Sequence, residues 1–318
     1  MDKYMLPRAR ASGFAFAAMI FLYVIISFSG QAVLSALSAG GFIYYAVSAL
    51  FSVVAIFISL IIYSKISAEP VKVSRIFKPF NYLYLLLGVL IAAGMFMGLG
   101  FINTLFAEWI EKLGVTVSAA DIPLETWGQY LAFTLVLGIL PAIFEEVLFR
   151  GVIFGGVRGA GAFSAALLCS LCFSLYHCSL AQLIYQFIYG LFLCFLAYVS
   201  KSIIPGMLAH FLNNFAVLTF GFFGAEIDLF SPYIIAGGLI LLAAAAAAMA
   251  FVYTKTCKIS SAGNAEGNSG NSGGKQHNGG DTGGTKKDKG AVFSFIMPGG
   301  LFGIIICCAI IAAGVFAV

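Results

Sequence analysis

The sequence predicts an all-α, polytopic transmembrane helix bundle of about eight to nine spans, and three observations carry that expectation. Apolar residues make up 61% of the 318-residue chain and charged residues only 9%, where a soluble domain carries roughly a quarter charged. Its mean hydropathy is +1.02. Apolar runs of about 20 residues, the length that crosses roughly 30 Å of hydrocarbon as a helix, recur from one end of the sequence to the other. A water-soluble domain is thereby excluded.

The runs fall at 13–37, 41–64, 81–106, 129–157, 161–178, 181–199, 202–223, 232–253 and 292–318. Lys3, Arg8 and Arg10 precede the first run, and Ala36-Leu37-Ser38-Ala39 after it resembles a cleavage site. An uncleaved anchor is the expectation there. The segment from Glu69 to Phe80 mixes basic and apolar residues, as a loop or a surface-lying stretch would. In the third run Gly94 and Gly98, and in the fourth Gly151, Gly155 and Gly159, recur every four residues and predict close helix packing. Pro141 is expected to kink the fourth helix. The Ala243–Ala248 run makes one smooth helix face. Between the eighth and ninth runs a Gly, Asn, Ser and Lys-rich stretch, with His277 among polar residues, reads as a disordered linker. The expected organisation is therefore N-terminal helices over 1–127, a core over 128–223, an eighth helix over 224–258, a cytoplasmic linker over 259–291 and a last helix over 292–318.

Charge gives orientation, because Lys and Arg collect on cytoplasmic loops. Lys65, Lys72, Arg75, Lys78, Arg158, Lys201, Lys255 and Lys258 all fall on the side of the N-terminus. Glu108, Glu111, Asp121, Glu125, Glu226 and Asp228 fall on the other, with Lys112 the one basic residue among them. The N-terminus is predicted to be cytoplasmic in a multi-pass protein of the cell membrane. Six cysteines, Cys169, Cys172, Cys178, Cys194, Cys307 and Cys308, lie in or beside apolar runs and read as small buried hydrophobes. Cys169-x-x-Cys172 lies within one apolar helix and carries little metal or redox signal.

An ionisable side chain in hydrocarbon costs at least about 2.5 kcal/mol on insertion scales, so each one inside a span is a functional candidate. Only the fourth, fifth and seventh runs contain any: Glu145, Glu146 and Arg150, then His177, then His210. Counted from the cytoplasmic ends at the helical rise, Glu145 lies about 20 Å, His177 about 24 Å and His210 about 12 Å into the membrane. With tilt, the three can meet near its middle.

Spacing sorts these residues into faces. Glu146 and Arg150 are four apart, so the guanidinium can hold that carboxylate charged. Glu145 is turned about 100° away from Glu146. Phe173 shares a face with His177, and His210 with Asn214. A carboxylate in a dry pocket beside an imidazole can act as a general base on water. An imidazole with an amide N–H can hold the oxyanion of a tetrahedral intermediate. The set suits amide hydrolysis, and no serine has the context of a nucleophile elbow. Glu145, His177 and His210 can equally supply three ligands to Zn²⁺ with a fourth position for water. Asn is a poor Zn²⁺ ligand, which favours Asn214 as an oxyanion partner of His210. Metal-free and metal-assisted mechanisms both stay open.

Glu145-Glu146-Val147-Leu148-Phe149-Arg150 resembles an E-E-x-x-x-R motif, Phe173 to His177 an F-x-x-x-H motif, and His210 to Asn214 an H-x-x-x-N motif. In this order these are similar to the three motifs of the CPBP family of intramembrane endopeptidases, which includes the type II CAAX prenyl endopeptidases and bacterial immunity-type proteins. The resemblance covers roughly 131–223. It implies that Glu145 activates water together with His177, that His210 and Asn214 form the oxyanion site, and that Glu146 and Arg150 organise the pocket. It also implies a peptide or protein substrate in a setting of membrane lipid, with no nucleic acid partner. Two rivals remain, a proton-coupled transporter and a catalytically silent scaffold or immunity protein. A transporter would spread its charges across the membrane depth, whereas these cluster at one level.

Overall fold

The computed structural model of the protein describes residues 5–70, 77–114, 122–225, 227–267 and 290–313. Eight helices are long and apolar enough to cross a membrane. They are α1 (Arg8–Ala36), α2 (Gly41–Ile66), α3 (Leu83–Lys112), α4 (Trp127–Ala160), α6 (Leu183–Ser200), α7 (Ile204–Phe223), α8 (Pro232–Gly267) and α9 (Gly290–Ala312). Between α4 and α6 lies a shorter apolar helix, α5 (Ala162–Tyr176). The protein is an all-α polytopic bundle. Large apolar side chains such as Phe28, Phe57, Leu86 and Ile240 are exposed on its outside, as hydrocarbon surroundings require.

The helices pack as two groups. In one, Phe16, Met19 and Ile20 of α1, Phe149 and Ile153 of α4, Phe173 and Cys172 of α5 and Cys307 of α9 share a core. In the other, Leu87, Ile91 and Met95 of α3, Tyr185, Tyr189 and Leu193 of α6, Ala209 of α7 and Leu242 of α8 do so. The intramembrane carboxylates and His210 lie where these groups meet.

Small residues bring the backbones together, because lipid offers no hydrophobic drive for helix association. A Cβ on Gly98 of α3 would stand 2.8 Å from the Gly238 backbone of α8, and one on Gly94 2.8 Å from the Leu242 side chain. The expected close packing at these two glycines is found. In α4 the tight positions are Gly155, against the Arg8 side chain at 2.7 Å, and its neighbour Gly156, against Ser12 at 2.5 Å. α9 is clasped to α1 in the same way, with Gly299 against the Phe14 backbone at 2.8 Å and Gly303 against the Phe16 ring at 2.7 Å. Leu6 is tied to the end of α2 by Leu6 N–H to Ile66 O at 2.8 Å and Ala68 N–H to Leu6 O at 2.9 Å.

Two boundaries differ from expectation. The fifth helix was expected over 161–178, but it stops at Tyr176, and Cys178 takes a left-handed φ of 51°. Residues His177 to Gln182 form a turn before α6. The Ser174 hydroxyl donates to Leu183 O across this turn and so fixes the next helix start. The eighth helix runs on to Gly267, into the stretch expected to be linker from Ile259. The rest of that linker, with His277, lies outside the described residues, as do Lys3, Lys72, Arg75, Asp121 and Glu226.

Gly98→Val forces a branched side chain into the Gly238 backbone. Overpacking of this kind costs about 1–3 kcal/mol. Thermal unfolding in detergent is expected to show a midpoint lower by about 5 °C, with Gly40→Val, in open space, as the unaffected control.

Candidate active site

α4 is not a regular helix where it carries the carboxylates. Thr134–Ile139 and Val147–Phe154 are π-helical, and the short α-helical piece Leu140–Glu146 lies between them. Such widened turns are frequent at functional sites because they re-aim side chains without ending the helix. Pro141 is one cause, since it has no N–H to give to the carbonyl four residues before it, Leu137. Asn214 Nδ2 of α7 donates to Leu137 O instead, at 3.1 Å. An unpaired carbonyl at membrane depth costs several kcal/mol, so this bond couples α7 to the π-helical stretch before Pro141.

Glu146 and Arg150 are fully buried and meet at 2.7 Å through Oε1 and Nη1. The guanidinium also donates to Gly190 O of α6 at 3.4 Å and stands 4.3 Å over the centre of the Phe173 ring. Gly190 lies so close to Ser170 of α5 that a Cβ would stand 3.0 Å from it, which is what brings its carbonyl within reach of Arg150. Gly206 of α7 makes a similar approach, with space for a Cβ only 2.9 Å from Glu146 Oε2. The ion pair is therefore contacted by helices α4, α5, α6 and α7.

His210 joins the two carboxylates. Its Nδ1 is 3.1 Å from Glu146 Oε1, and its Nε2 is 3.8 Å from Glu145 Oε2. Glu146 already accepts from Arg150 and is an acceptor only, so the network assigns the His210 proton to Nδ1. Nε2 is thereby turned toward Glu145. Glu145 and His210 are 5% and 3% exposed, and Glu145 Oε2 has no hydrogen-bond partner. The other Glu145 oxygen accepts from the Tyr176 hydroxyl at 3.4 Å.

Phe173 organises the aromatic side of the site. Its ring is edge-on to His177 at 4.8 Å and to His210 at 5.7 Å between centroids, and to Phe149 at 5.1 Å. Nδ1 of His177 bonds the Phe173 carbonyl at 2.8 Å, which leaves Nε2 of that imidazole for other partners. Glu145, Glu146, Arg150, Phe173, His177 and His210 are thus linked to one another by direct contacts. Asn214 differs from expectation in one respect, because part of its amide is committed to Leu137. Cys169 donates its thiol to Phe149 O at 3.2 Å and serves packing in the π-helical stretch.

Several contributors were not evident from the sequence. Tyr176 holds Glu145, Tyr189 is buried edge-on to His210 at 6.1 Å, and Tyr185 donates to Asn213 Oδ1 at 2.6 Å. Asn213, next to Asn214, is the buried one of the pair. A tyrosine in an apolar run looks like core, and only its position beside a site residue hints otherwise.

Residues 127–216 match the family model of type II CAAX prenyl endopeptidase Rce1-like proteins. This segment is similar to the CPBP family of intramembrane proteases. The CPBP segment spans α4, α5, α6 and most of α7, the four helices that contact the Glu146–Arg150 pair. Helices α1, α2, α3, α8 and α9 lie outside the matched CPBP residues. No curated protein and no solved structure matches the chain.

Of the three donors expected for Zn²⁺, Glu145 Oε2 and His210 Nε2 face each other at 3.8 Å. Among the described residues no group of three His, Cys, Asp or Glu is close enough to share a metal ion. Nδ1 of His177 is held by a carbonyl and Nδ1 of His210 by Glu146, which leaves the Nε2 of each ring turned to other partners.

Arg150→Ala leaves Glu146 charged and buried. Breaking a buried pair from one side costs about 3–5 kcal/mol, whereas apolar replacement of both partners is often tolerated. Thermal unfolding in detergent is expected to show a large loss for Arg150→Ala, with much of it recovered in Glu146→Leu/Arg150→Met.

Proposed function

We propose that the protein is an intramembrane endopeptidase that hydrolyses peptide bonds of membrane-associated peptides or proteins with water activated at Glu145. One observation carries this reading. Glu145 Oε2 is buried without a partner and faces His210 Nε2 at 3.8 Å. Two atoms that far apart can both reach one water at about 2.8 Å.

In the proposed reaction Glu145 takes a proton from that water as its oxygen attacks the carbonyl carbon of the substrate. His177, whose Nδ1 is fixed by the Phe173 carbonyl, orients the water from the α5 side. The carbonyl oxygen becomes an oxyanion. His210 in its protonated form donates from Nε2, and the amide N–H of Asn214 not used by Leu137 is the second donor. Glu145 then passes its proton to the departing amine as the C–N bond breaks, leaving a carboxylate and a free amine.

Electrostatics supports these roles. Glu146 and Arg150 cancel, so the pair adds no net charge beside Glu145. Glu146 and Arg150 act by holding His210 and Phe173 in register and do not touch the substrate. The steps as written do not call on a metal. The N-terminus is assigned to the cytoplasm of a cell-membrane protein on the distribution of Lys and Arg between loops.

Purified protein in lipid bilayers, offered a panel of membrane-associated peptides, is expected to cleave at least one. Glu145→Ala and His210→Ala should each reduce kcat/KM at least about 100-fold. A chelator should leave the wild type unchanged. Chelator-sensitive cleavage would restore the metal route, and equal behaviour of wild type and both variants would favour a scaffold or transport role.

A further inference from the structure

An intramembrane hydrolase needs water at a site that its surroundings keep dry, and the short helix α5 together with the hydroxyls of α1 and α2 offers a supply. α5 has 15 residues, about 22 Å at the helical rise, against roughly 30 Å of hydrocarbon. Its end therefore lies below the membrane surface on the side opposite the basic loops. The neighbours of that end say the same: Cys178 packs with Val24 of α1, and α1 continues from Val24 to Ala36, about 18 Å further. Non-helical backbone at such depth is tolerated only where protein buries it or where it lines a water-filled cavity. The turn from His177 to Gln182 is not fully covered. His177, Ser179, Leu180 and Gln182 are all partly exposed, and Gln186 stands one turn beyond with its amide on Gln182.

A run of hydroxyls leads from the same side down to Glu145. Ser48 and Ser52 share a face of α2, and Tyr23 and Ser27 share a face of α1. The Tyr23 ring lies 6.1 Å from the ring of Tyr176, with its hydroxyl beside Ser27. Tyr176 points its hydroxyl between Ser52 and Glu145, reaching Glu145 Oε1 at 3.4 Å. Ser48 Oγ, about 10 Å below the start of α2, is buried with no protein partner, and so is Glu145 Oε2. Orphaned polar atoms at both ends of a hydroxyl-lined route are the surroundings that ordered water fills.

We infer that α1, α2 and the 177–182 turn form an aqueous vestibule that supplies water to Glu145 from the side opposite the basic loops, with Tyr176 as the residue that positions the carboxylate. The supply role rests on Glu145 being the base, whereas the vestibule itself does not.

The two parts are tested separately. Single variants Ser48→Cys and Ser27→Cys, in the otherwise native chain in sealed vesicles, are treated with a membrane-impermeant maleimide and mapped by mass spectrometry, which separates the new thiol from the native ones. Val47→Cys, on the exposed face of α2, is the control at similar depth. Labelling at Ser27→Cys and Ser48→Cys at least about tenfold faster than at Val47→Cys, and only in vesicles exposing the side opposite the basic loops, is expected because thiolates form in water. Labelling no faster than the control, or from the basic side alone, overturns the vestibule whether or not the protein cleaves peptides. Tyr176→Phe is expected to lower kcat about tenfold with KM unchanged and to alter the pH profile of kcat. A Tyr176→Phe enzyme with wild-type kcat and pH profile overturns the positioning role. Absence of cleavage by the wild type, alongside fast labelling, would count against the protease reading alone.

Discussion

Arg150 and Glu146 meet at 2.7 Å with neither side chain exposed, and an ion pair at that depth constrains what can pack around it. Each charge must find its full set of partners in protein, because desolvation outweighs a poorly made pair. Arg150 reaches across to a carbonyl of α6 and lies on the Phe173 ring of α5, while Glu146 takes the imidazole of α7. Any shift of one helix leaves a charge or a carbonyl unmet. The pair thus fixes the relative positions of four helices more strictly than lipid-facing apolar contacts can, since lipid competes equally well for those. The imidazole is held by that fixed pair and in turn faces Glu145, so the placement of the proposed reacting centre derives from a pair to which the proposal gives no part in the reaction.

Backbone accounting explains the second tie between α4 and α7. A proline inside a membrane helix leaves the carbonyl one turn earlier without its donor, and the helix cannot turn to water for another. Asn214 meets that carbonyl from a separate helix. The π-helical stretch before Pro141 and the residue next to the proposed oxyanion therefore depend on each other. An amide has two N–H groups, which is why one residue type can serve both needs.

The helices were legible in the sequence because bilayer thickness sets a length that apolar runs must meet, and each of the nine runs holds a helix, though several ends lie outside the expected bounds. The site residues were legible for a related reason: charge is costly in hydrocarbon, so Glu145, Glu146, Arg150, His177 and His210 stand out against their surroundings. Tyr176 did not, because a phenol is at home in either setting and only the fold brings it to Glu145. The bond from Asn214 to Leu137 joins residues far apart in the chain and follows from a missing N–H, which spacing within one helix cannot reveal. The early end of α5 was hidden as well. Apolar residues continue past Tyr176, and the left-handed backbone at Cys178 has no glycine to announce it.

A helix that ends part-way through the bilayer also acts on the lipid beside it. Acyl chains next to α5 and the 177–182 turn meet an apolar wall shorter than the one they meet along α1 or α2, and hydrophobic mismatch of this kind is relieved by local thinning. The protein carries its own thin place, on the flank where Phe163 and Leu171 of α5 face outward. The elastic cost of that thinning grows with the thickness of the host membrane. Lipid composition therefore becomes a variable of the protein's conformational equilibrium, and bilayers of longer-chain lipids press on the turn that bears His177.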